Sequence, residues 1–290
     1  MKWLDAAYSS PAENLAGDEA LLDLCEEEGV EILRFWESRQ HFVVVGYANK
    51  IESEVNVAEC RRRGVPILRR CSGGGTVVQG PGCLNYNLTL RIPESGPLMT
   101  VTGTNEFVME RHRAAMEQLL GVPVAVKGHT DLAACTPLCS PHRNRNPALN
   151  PNPTTVEDTI TSRTRSKNDR PGSDAWLKFS GNAQRRRRRA FVFHGTILYG
   201  LDLSVIDILL RLPSMQPAYR SGRSHGEFVQ NITAPGDSIR AALREAWNAE
   251  EAILDVPRDR FDRVLRDHYL NDAWNFRTGA PSVAGTEMSD

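Results

Sequence analysis

The chain has 290 residues, 35 Lys+Arg against 36 Asp+Glu, and a formal net charge of −1. Its 40% hydrophobic and 24% charged residues are those of a globular protein and exclude a disordered one. The neutral balance argues against a nucleic-acid binder, and no apolar run reaches the roughly eighteen residues of a membrane span. Six dispersed cysteines are too dilute for a disulfide scaffold. The start, Met1-Lys-Trp-Leu-Asp5, soon turns acidic and does not read as a secretory signal. These features imply a soluble, cytoplasmic chain.

Leu15, Ala16, Ala20, Leu21, Leu22 and Cys25 fall near helical spacing with acids between them, which predicts a helix over 13–27. Residues 31–36 and 41–46 read as two strands joined by a polar turn. A short helix over 52–63 ends at Gly64, where a left-handed cap is expected. Strands follow at 65–70 and 84–92, and a helix at 104–120 carries Phe107, Val108, His112, Met116, Leu119 and Leu120. Two short strands, 122–126 and 131–134, flank a turn centred on Gly128. The next stretch is rich in Pro, Asn, Ser, Thr and Arg, which predicts a disordered insertion over 136–175. Beyond it, 190–199 reads as a strand or strand pair, and 201–212, 237–252 and 258–269 as helices. This irregular mixture predicts an α+β fold: a central mixed β-sheet flanked by helices, in one domain over 1–277 with a flexible tail at 278–290.

Two segments carry chemistry. In Arg69-Arg-Cys-Ser-Gly-Gly-Gly75 the glycines let the backbone approach a ligand closely, and the arginines suit phosphate or carboxylate. The same stretch also reads as a flexible hairpin with exposed arginines; it is not a Walker loop, since no Gly-Lys-Ser/Thr follows. In Lys178-Phe-Ser-Gly-Asn-Ala-Gln184 a lysine precedes a Ser-Gly turn. It reads either as a counterion for phosphate or a developing oxyanion, or as a solvated turn lysine. His194 alone is more often a core histidine than a catalyst. Arg185 to Arg189 read as a solvated face or a patch for acidic partners. Cys135-Thr-Pro-Leu-Cys139 with His142 resembles part of a metal site, but its loose spacing and missing fourth ligand disfavour that reading.

The order of these segments resembles the lipoate–protein ligase and octanoyltransferase family, which shares its catalytic fold with biotin–protein ligases. The resemblance begins at Asn14-Leu-Ala-Gly-Asp-Glu-Ala-Leu-Leu22 and runs through Val44-Val-Gly46, Glu54-Val-Asn56 and Arg69-Arg-Cys-Ser-Gly-Gly-Gly75. It continues with Gly128-His-Thr-Asp-Leu132, Lys178-Phe-Ser-Gly-Asn-Ala-Gln184 and His194-Gly-Thr-Ile-Leu198, and ends at Trp274-Asn-Phe276. It implies activation of lipoate or octanoate by ATP and Mg2+, then transfer to a lysine of an apo lipoyl carrier domain, with no tightly bound cofactor. It assigns Lys178 as catalytic. Arg70, Ser72, Gly73, Gly74, Gly75, Thr76, Val77, Asp131, Ser180, Gly181, Asn182, Ala183, His194, Gly195 and Thr196 would bind substrate and acyl-adenylate. Arg220 and Arg223 would contact phosphate, and Asp131 would assist magnesium or the nucleotide. Val77, Val78, Tyr86 and Phe193 would line an apolar acyl tunnel, and an acidic carrier would dock at Arg185 to Arg189. A monomer is expected, with a separate accessory subunit, and neither nucleic acid nor membrane as partner.

The chain departs from the family's pattern in three places. Gln79-Gly-Pro-Gly82 stands where ligases usually carry a His-Asp-Leu-Gly-like run. Arg220-Ser-Gly-Arg-Ser-His-Gly-Glu227 is polar and glycine-rich for a nucleotide loop. No accessory domain is expected after Phe276. The family's transferases use a cysteine thioester, placed either before the aspartate strand or in a late Pro-Cys-Gly-like turn. Here 122–128 and 213–222 contain no cysteine, so the ligase reading is preferred. The alternatives are an ATP-independent octanoyltransferase drawing on acyl carrier protein, and a non-catalytic acyl-binding relative. Biotin is disfavoured, since no Gly-Arg-Gly-Arg-like loop is present.

Overall fold

Ser10 opens the first helix with a reciprocal capping box to Glu13, Pro11 sits in its first turn, and Gly29 closes it in a left-handed conformation. The computed structural model describes residues 1–135, 176–213, 216–253 and 255–277. The predicted insertion at 136–175, the tail 278–290 and the side chains of the Cys135–Cys139–His142 reading lie outside the described residues. The elements in chain order are β1 (Lys2–Asp5), α1 (Pro11–Glu28), β2 (Ile32–Trp36), β3 (Phe42–Val45), α2 (Ile51–Glu54), α3 (Val57–Arg63), β4 (Ile67–Arg69), β5 (Val77–Gln79), β6 (Cys83–Arg91) and α4 (Val101–Leu120). They continue with β7 (Val124–Lys127), β8 (Asp131–Cys135), β9 (Trp176–Arg186), β10 (Ala190–Leu198), α5 (Ser204–Leu209), α6 (His225–Phe228), α7 (Gly236–Ala246), β11 (Glu251–Ala252), α8 (Arg258–Val264) and α9 (Asp272–Asn275).

An eight-stranded mixed sheet runs in the order β11-β1-β2-β6-β10-β9-β8-β7, and a three-stranded sheet in the order β4-β3-β5. The fold is the expected α+β arrangement. One face of the large sheet packs on α4 and α7 through Leu88, Phe191, Phe193, Met116 and Leu243. The other face meets α1, the small sheet and α8. Because side chains alternate along a strand, β10 sends Phe193 to the first face and His194 and Thr196 to the second. That alternation corrects the placement of Phe193 in an acyl tunnel: it lies in the core on the far side of the sheet.

Several elements differ from the sequence reading. The strands at 31–36 and 41–46 do not form a hairpin. β2 pairs with β1 and β6 in the large sheet, while β3 pairs with β4 and β5 in the small one. The 52–63 helix is broken at Val55, which turns extended, and Asn56 then caps α3 by accepting from the Glu59 N–H. Leu210 leaves its predicted helix to bridge Val55. The 237–252 helix ends at Ala246, so that Glu251 and Ala252 can pair with β1. Residues 178–184 are the interior of β9 and not a turn.

Helix α1 is buried from Asn14 to Leu22, so its acids do not alternate onto a wet face. Asp18 instead accepts from Arg34 Nη1 at 2.6 Å and from Trp36 Nε1 at 3.1 Å. Arg34 is fully buried and also donates to the Asn14 and Ala6 carbonyls, so each charge has several partners.

Gly195 in β10 lies opposite Asn182 in β9. A Cβ at Gly195 would overlap the Asn182 side-chain oxygen, whereas one at Gly73 would meet nothing within 4 Å. Gly195→Ala is therefore expected to lower unfolding free energy by about 2 kcal/mol or more in urea titrations, and Gly73→Ala by under about 0.5 kcal/mol. His112 accepts from Trp247 Nε1 at 2.7 Å, and burial pushes its pKa down from 6.5 to about 3. The unfolded histidine takes up a proton below 6.5 while the folded one resists until about 3, so this contribution is present above 6.5 and lost as pH falls. At pH 5 the loss from His112 is about 2 kcal/mol, and His112→Gln is expected to flatten the stability–pH profile by that amount.

Candidate functional site

A cleft of about 480 Å³ opens between the second face of β6, β10 and β9 and the small sheet, and is edged by the glycine loop and the 211–229 segment. The glycine loop is held by its own arginine. Arg70 Nη2 donates to the Gly73 and Gly75 carbonyls at 2.7 Å each, and Nε donates to Ser72 Oγ at 3.1 Å. Burial lowers the Arg70 pKa to about 10, which leaves it charged at neutral pH. Ser72 Oγ lies 2.5 Å from His194 Nε2. Burial, then the nearby Arg70, push His194 down to about 3, so the ring that meets the Ser72 hydroxyl is neutral. Neighbouring Arg69 turns the other way, donating to the Gly46 and Asn49 carbonyls at 2.9 and 2.8 Å. Asn275 accepts from the Arg69 backbone N–H at 3.0 Å, and Trp274 Nε1 donates to the Arg69 carbonyl at 2.8 Å.

Opposite the loop stands Lys178. The β8–β9 register pairs Leu132 with Ser180 and Ala133 with Lys178, leaving Phe179 as a bulge. The lysine side chain folds back over Gly181, where a Cβ would stand 2.7 Å from its Nζ; only glycine leaves this path open. Lys178 Nζ reaches Asp131 Oδ1 at 2.8 Å, and Tyr219 donates its hydroxyl to Asp131 Oδ2 at 2.7 Å. Burial, then the Asp131 charge, raise the Tyr219 pKa, so the phenol stays protonated as a donor. Asn182 fixes the adjoining wall: its Nδ2 donates to the Thr130 carbonyl at 2.6 Å, and its Oδ1 accepts from Tyr86 at 2.7 Å.

Arg220 is 4% exposed and borders the cleft, with Nε donating to the Arg223 carbonyl at 2.9 Å and the guanidinium 4.8 Å from the Phe228 ring centroid. Its Nη2 is buried and has no partner.

The structure brings most of the expected residues to the cleft: Lys178, Arg70, Gly74, Gly75, Thr76, Val77, Asp131, Ser180, Gly181, Asn182, Ala183, His194, Gly195, Thr196 and Arg220 all border it. Three do not. Ser72 lies behind the wall, its hydroxyl occupied by Arg70 and His194, and Gly73 lies outside the rim. Arg223 braces its loop by donating to the Tyr219, Arg220 and Trp176 carbonyls, so it is no phosphate contact. The arginine run is partly engaged within the fold, while Arg188 is exposed and carries no ion pair among the described residues. Arg186 donates to the Leu98 and Met99 carbonyls, Arg187 pairs with Asp23 at 2.9 Å, and Arg189 lies against Glu26. Val77, Val78 and Tyr86 do line the cleft.

Sequence reasoning quoted Glu54 within the family resemblance but gave it no place in the site; Glu54 accepts from Asn49 at 2.7 Å and from Thr76 beside the glycine loop. It also missed Tyr219, and Gln79 with Asn85 on the inner wall. Only the Gln79 departure from the family pattern signalled one of them. Among the described residues no cluster of three or more His, Cys, Asp or Glu could hold a metal ion. Asp131 fits a magnesium ion carried in on nucleotide phosphates, which needs only one or two protein carboxylates. Cys25, Cys60, Cys71 and Cys83 are buried, with thiols raised mainly by burial, and none borders the cleft. No helix among the described residues is long and apolar enough to cross a membrane.

This geometry agrees with the comparisons. The family model of the lipoyl protein ligase A/B catalytic domain matches residues 10–247. Octanoyltransferase LipM of Geobacillus kaustophilus is 25% identical over 297 residues, spanning 95% of this chain and 98% of the relative. A bi-partite lipoate protein ligase from Thermoplasma acidophilum, described with its E2 lipoyl domain, superposes with a TM-score of 0.71 at 19% identity, over 97% of this chain and 98% of that one. A lipoate-protein ligase A bound with ATP gives 0.67 at 20% identity, over 95% of this chain and 99% of that one. The cleft, the glycine loop and the lysine strand thus stand in a chain that belongs to the lipoyl protein ligase A/B catalytic-domain family, the enzymes of lipoate ligation and octanoyl transfer.

Proposed function

We propose that this chain is an ATP-dependent lipoate–protein ligase, which activates lipoate or octanoate and passes the acyl group to a lysine of an apo lipoyl domain. One observation carries the reading: the polar end of the cleft presents Lys178 and a buried Arg220 with an unmet N–H, and no thiol among the described residues. A buried guanidinium with a free donor favours an anion, and a phosphate oxygen satisfies it at charge-assisted strength. In the first half-reaction a carboxylate oxygen of the acid attacks the α-phosphorus, and pyrophosphate leaves. Lys178 exchanges Asp131 for the oxygens that gather charge at that phosphorus. Asp131 would hold a magnesium ion arriving with the nucleotide, and that ion would supply further charge neutralisation. In the second half-reaction the carrier lysine's neutral amine attacks the acyl carbonyl, the amide forms and AMP leaves. Lys178 again faces the developing oxyanion. Trp36, Val44, Val77, Val78 and Tyr86 give the acyl chain an apolar bed.

A second reading, octanoyl transfer from a thioester donor, is favoured by the octanoyltransferase relative that aligns along nearly the whole chain. It requires a cysteine nucleophile with access and a lowered pKa; Cys25, Cys60, Cys71 and Cys83 are buried with raised thiols, and the side chains of Cys135 and Cys139 lie outside the described residues. Supplying an apo lipoyl domain either with lipoate or octanoate plus Mg-ATP, or with octanoyl–acyl carrier protein alone, separates the two. Mass shifts of the carrier are expected only with ATP, and modification from the thioester without ATP would overturn the ligase reading. Lys178→Ala is expected to lower kcat by a hundredfold or more, as loss of an oxyanion-stabilising group does. Arg220→Gln is expected to raise the KM for ATP by about tenfold, with a smaller effect on kcat.

A further inference from the structure

Tyr219 and Arg220 are consecutive residues that meet the cation end of the cleft in different ways. Arg220 brings its buried guanidinium to the cleft, held by Phe228 and the Arg223 carbonyl of its own segment. Neither partner belongs to the large sheet, where Lys178 stands. Among the described residues, the 216–224 stretch makes two hydrogen bonds to that sheet. Arg223 Nη1 donates to the Trp176 carbonyl at 3.3 Å, and the Tyr219 hydroxyl donates to Asp131 Oδ2 at 2.7 Å. Only the second reaches a side chain that borders the cleft.

That bond has a fixed direction. A carboxylate only accepts, so the phenol donates, and the other carboxylate oxygen takes Lys178 Nζ at 2.8 Å. Asp131 thus joins the segment that carries Arg220 to the ammonium of Lys178. The far end of the segment holds the lysine's backbone as well. Val229 bridges Lys178, and the Gln230 N–H donates to the Lys178 carbonyl at 2.9 Å. The Tyr219 hydroxyl is separable from its ring. The ring lies 5.1 Å from Phe228, centroid to centroid, and against the 128–131 turn, where a Cβ at Gly128 would stand 3.6 Å from Tyr219 Cε1. Packing accounts for the ring, but not for a hydroxyl aimed at a carboxylate that already has a cation.

We infer that Tyr219 is a positioning residue: its hydroxyl latches the Arg220 segment to the Lys178–Asp131 pair, so that both cations address one phosphate group. The inference rests on the reading of this end of the cleft as the nucleotide site. An Arg220 released from the latch loses its hold on that anion, so the costs of releasing it and of removing it overlap. The test is a double-mutant cycle on affinity for the magnesium complex of α,β-methylene-ATP, titrated calorimetrically into the full chain. Tyr219→Phe, which keeps the ring contacts, and Arg220→Gln are each expected to weaken binding about tenfold. The double variant is also expected to lose about tenfold, not a hundredfold. A purely structural tyrosine would instead lower the urea midpoint of Tyr219→Phe and multiply with Arg220→Gln. Unchanged binding by Tyr219→Phe, or single losses that multiply, overturns the inference and leaves the ligase reading standing. Failure of the wild type to bind the nucleotide overturns both.

Discussion

The site depends on two adjacent guanidinium groups that face opposite ways. A run of three glycines has more backbone freedom to lose on folding than any other tripeptide, so it does not stand as a wall unaided. Arg70 captures two of its carbonyls from inside, and Arg69 ties the base of the same strand to the 46–49 turn and to Asn275. Strand alternation makes the split possible, since consecutive residues of β4 and its exit point to opposite sides. His194 completes the arrangement, because its neutral ring holds the Ser72 hydroxyl without adding charge beside Arg70.

Around that wall the cleft is polarised. Its Lys178 end carries cations, one of which has a donor to spare. Trp36, Val44, Val77 and Val78 supply its apolar lining. Asp131 pairs with Lys178 and holds the lysine in place at the cleft wall.

Much of this was legible in the sequence because the chemistry sits in short, ordered motifs. The glycine loop, Lys178, Asp131 and His194 all reach one cleft as the motif order implied. The failures share a cause: sequence shows which groups a residue owns, not which of them a fold consumes. Ser72, Arg223 and Arg186 are polar and look available, yet their hydrogen bonds are spent inside the structure. Asp18 and Glu19 of α1, set between apolar residues in the sequence, are buried partners of Arg34, Tyr269 and His268. The missing hairpin at 31–46 has the same origin, since only the third dimension shows that β2 is covered on both faces.

The central claim, that the cation end activates a carboxylate with ATP, is tested most directly by exchange of labelled pyrophosphate into ATP without any carrier domain. Exchange must appear only when the acid is added, and must vanish in Lys178→Met. Absence of acid-dependent exchange in a folded wild-type protein that still acylates the lipoyl domain from a thioester would contradict the account.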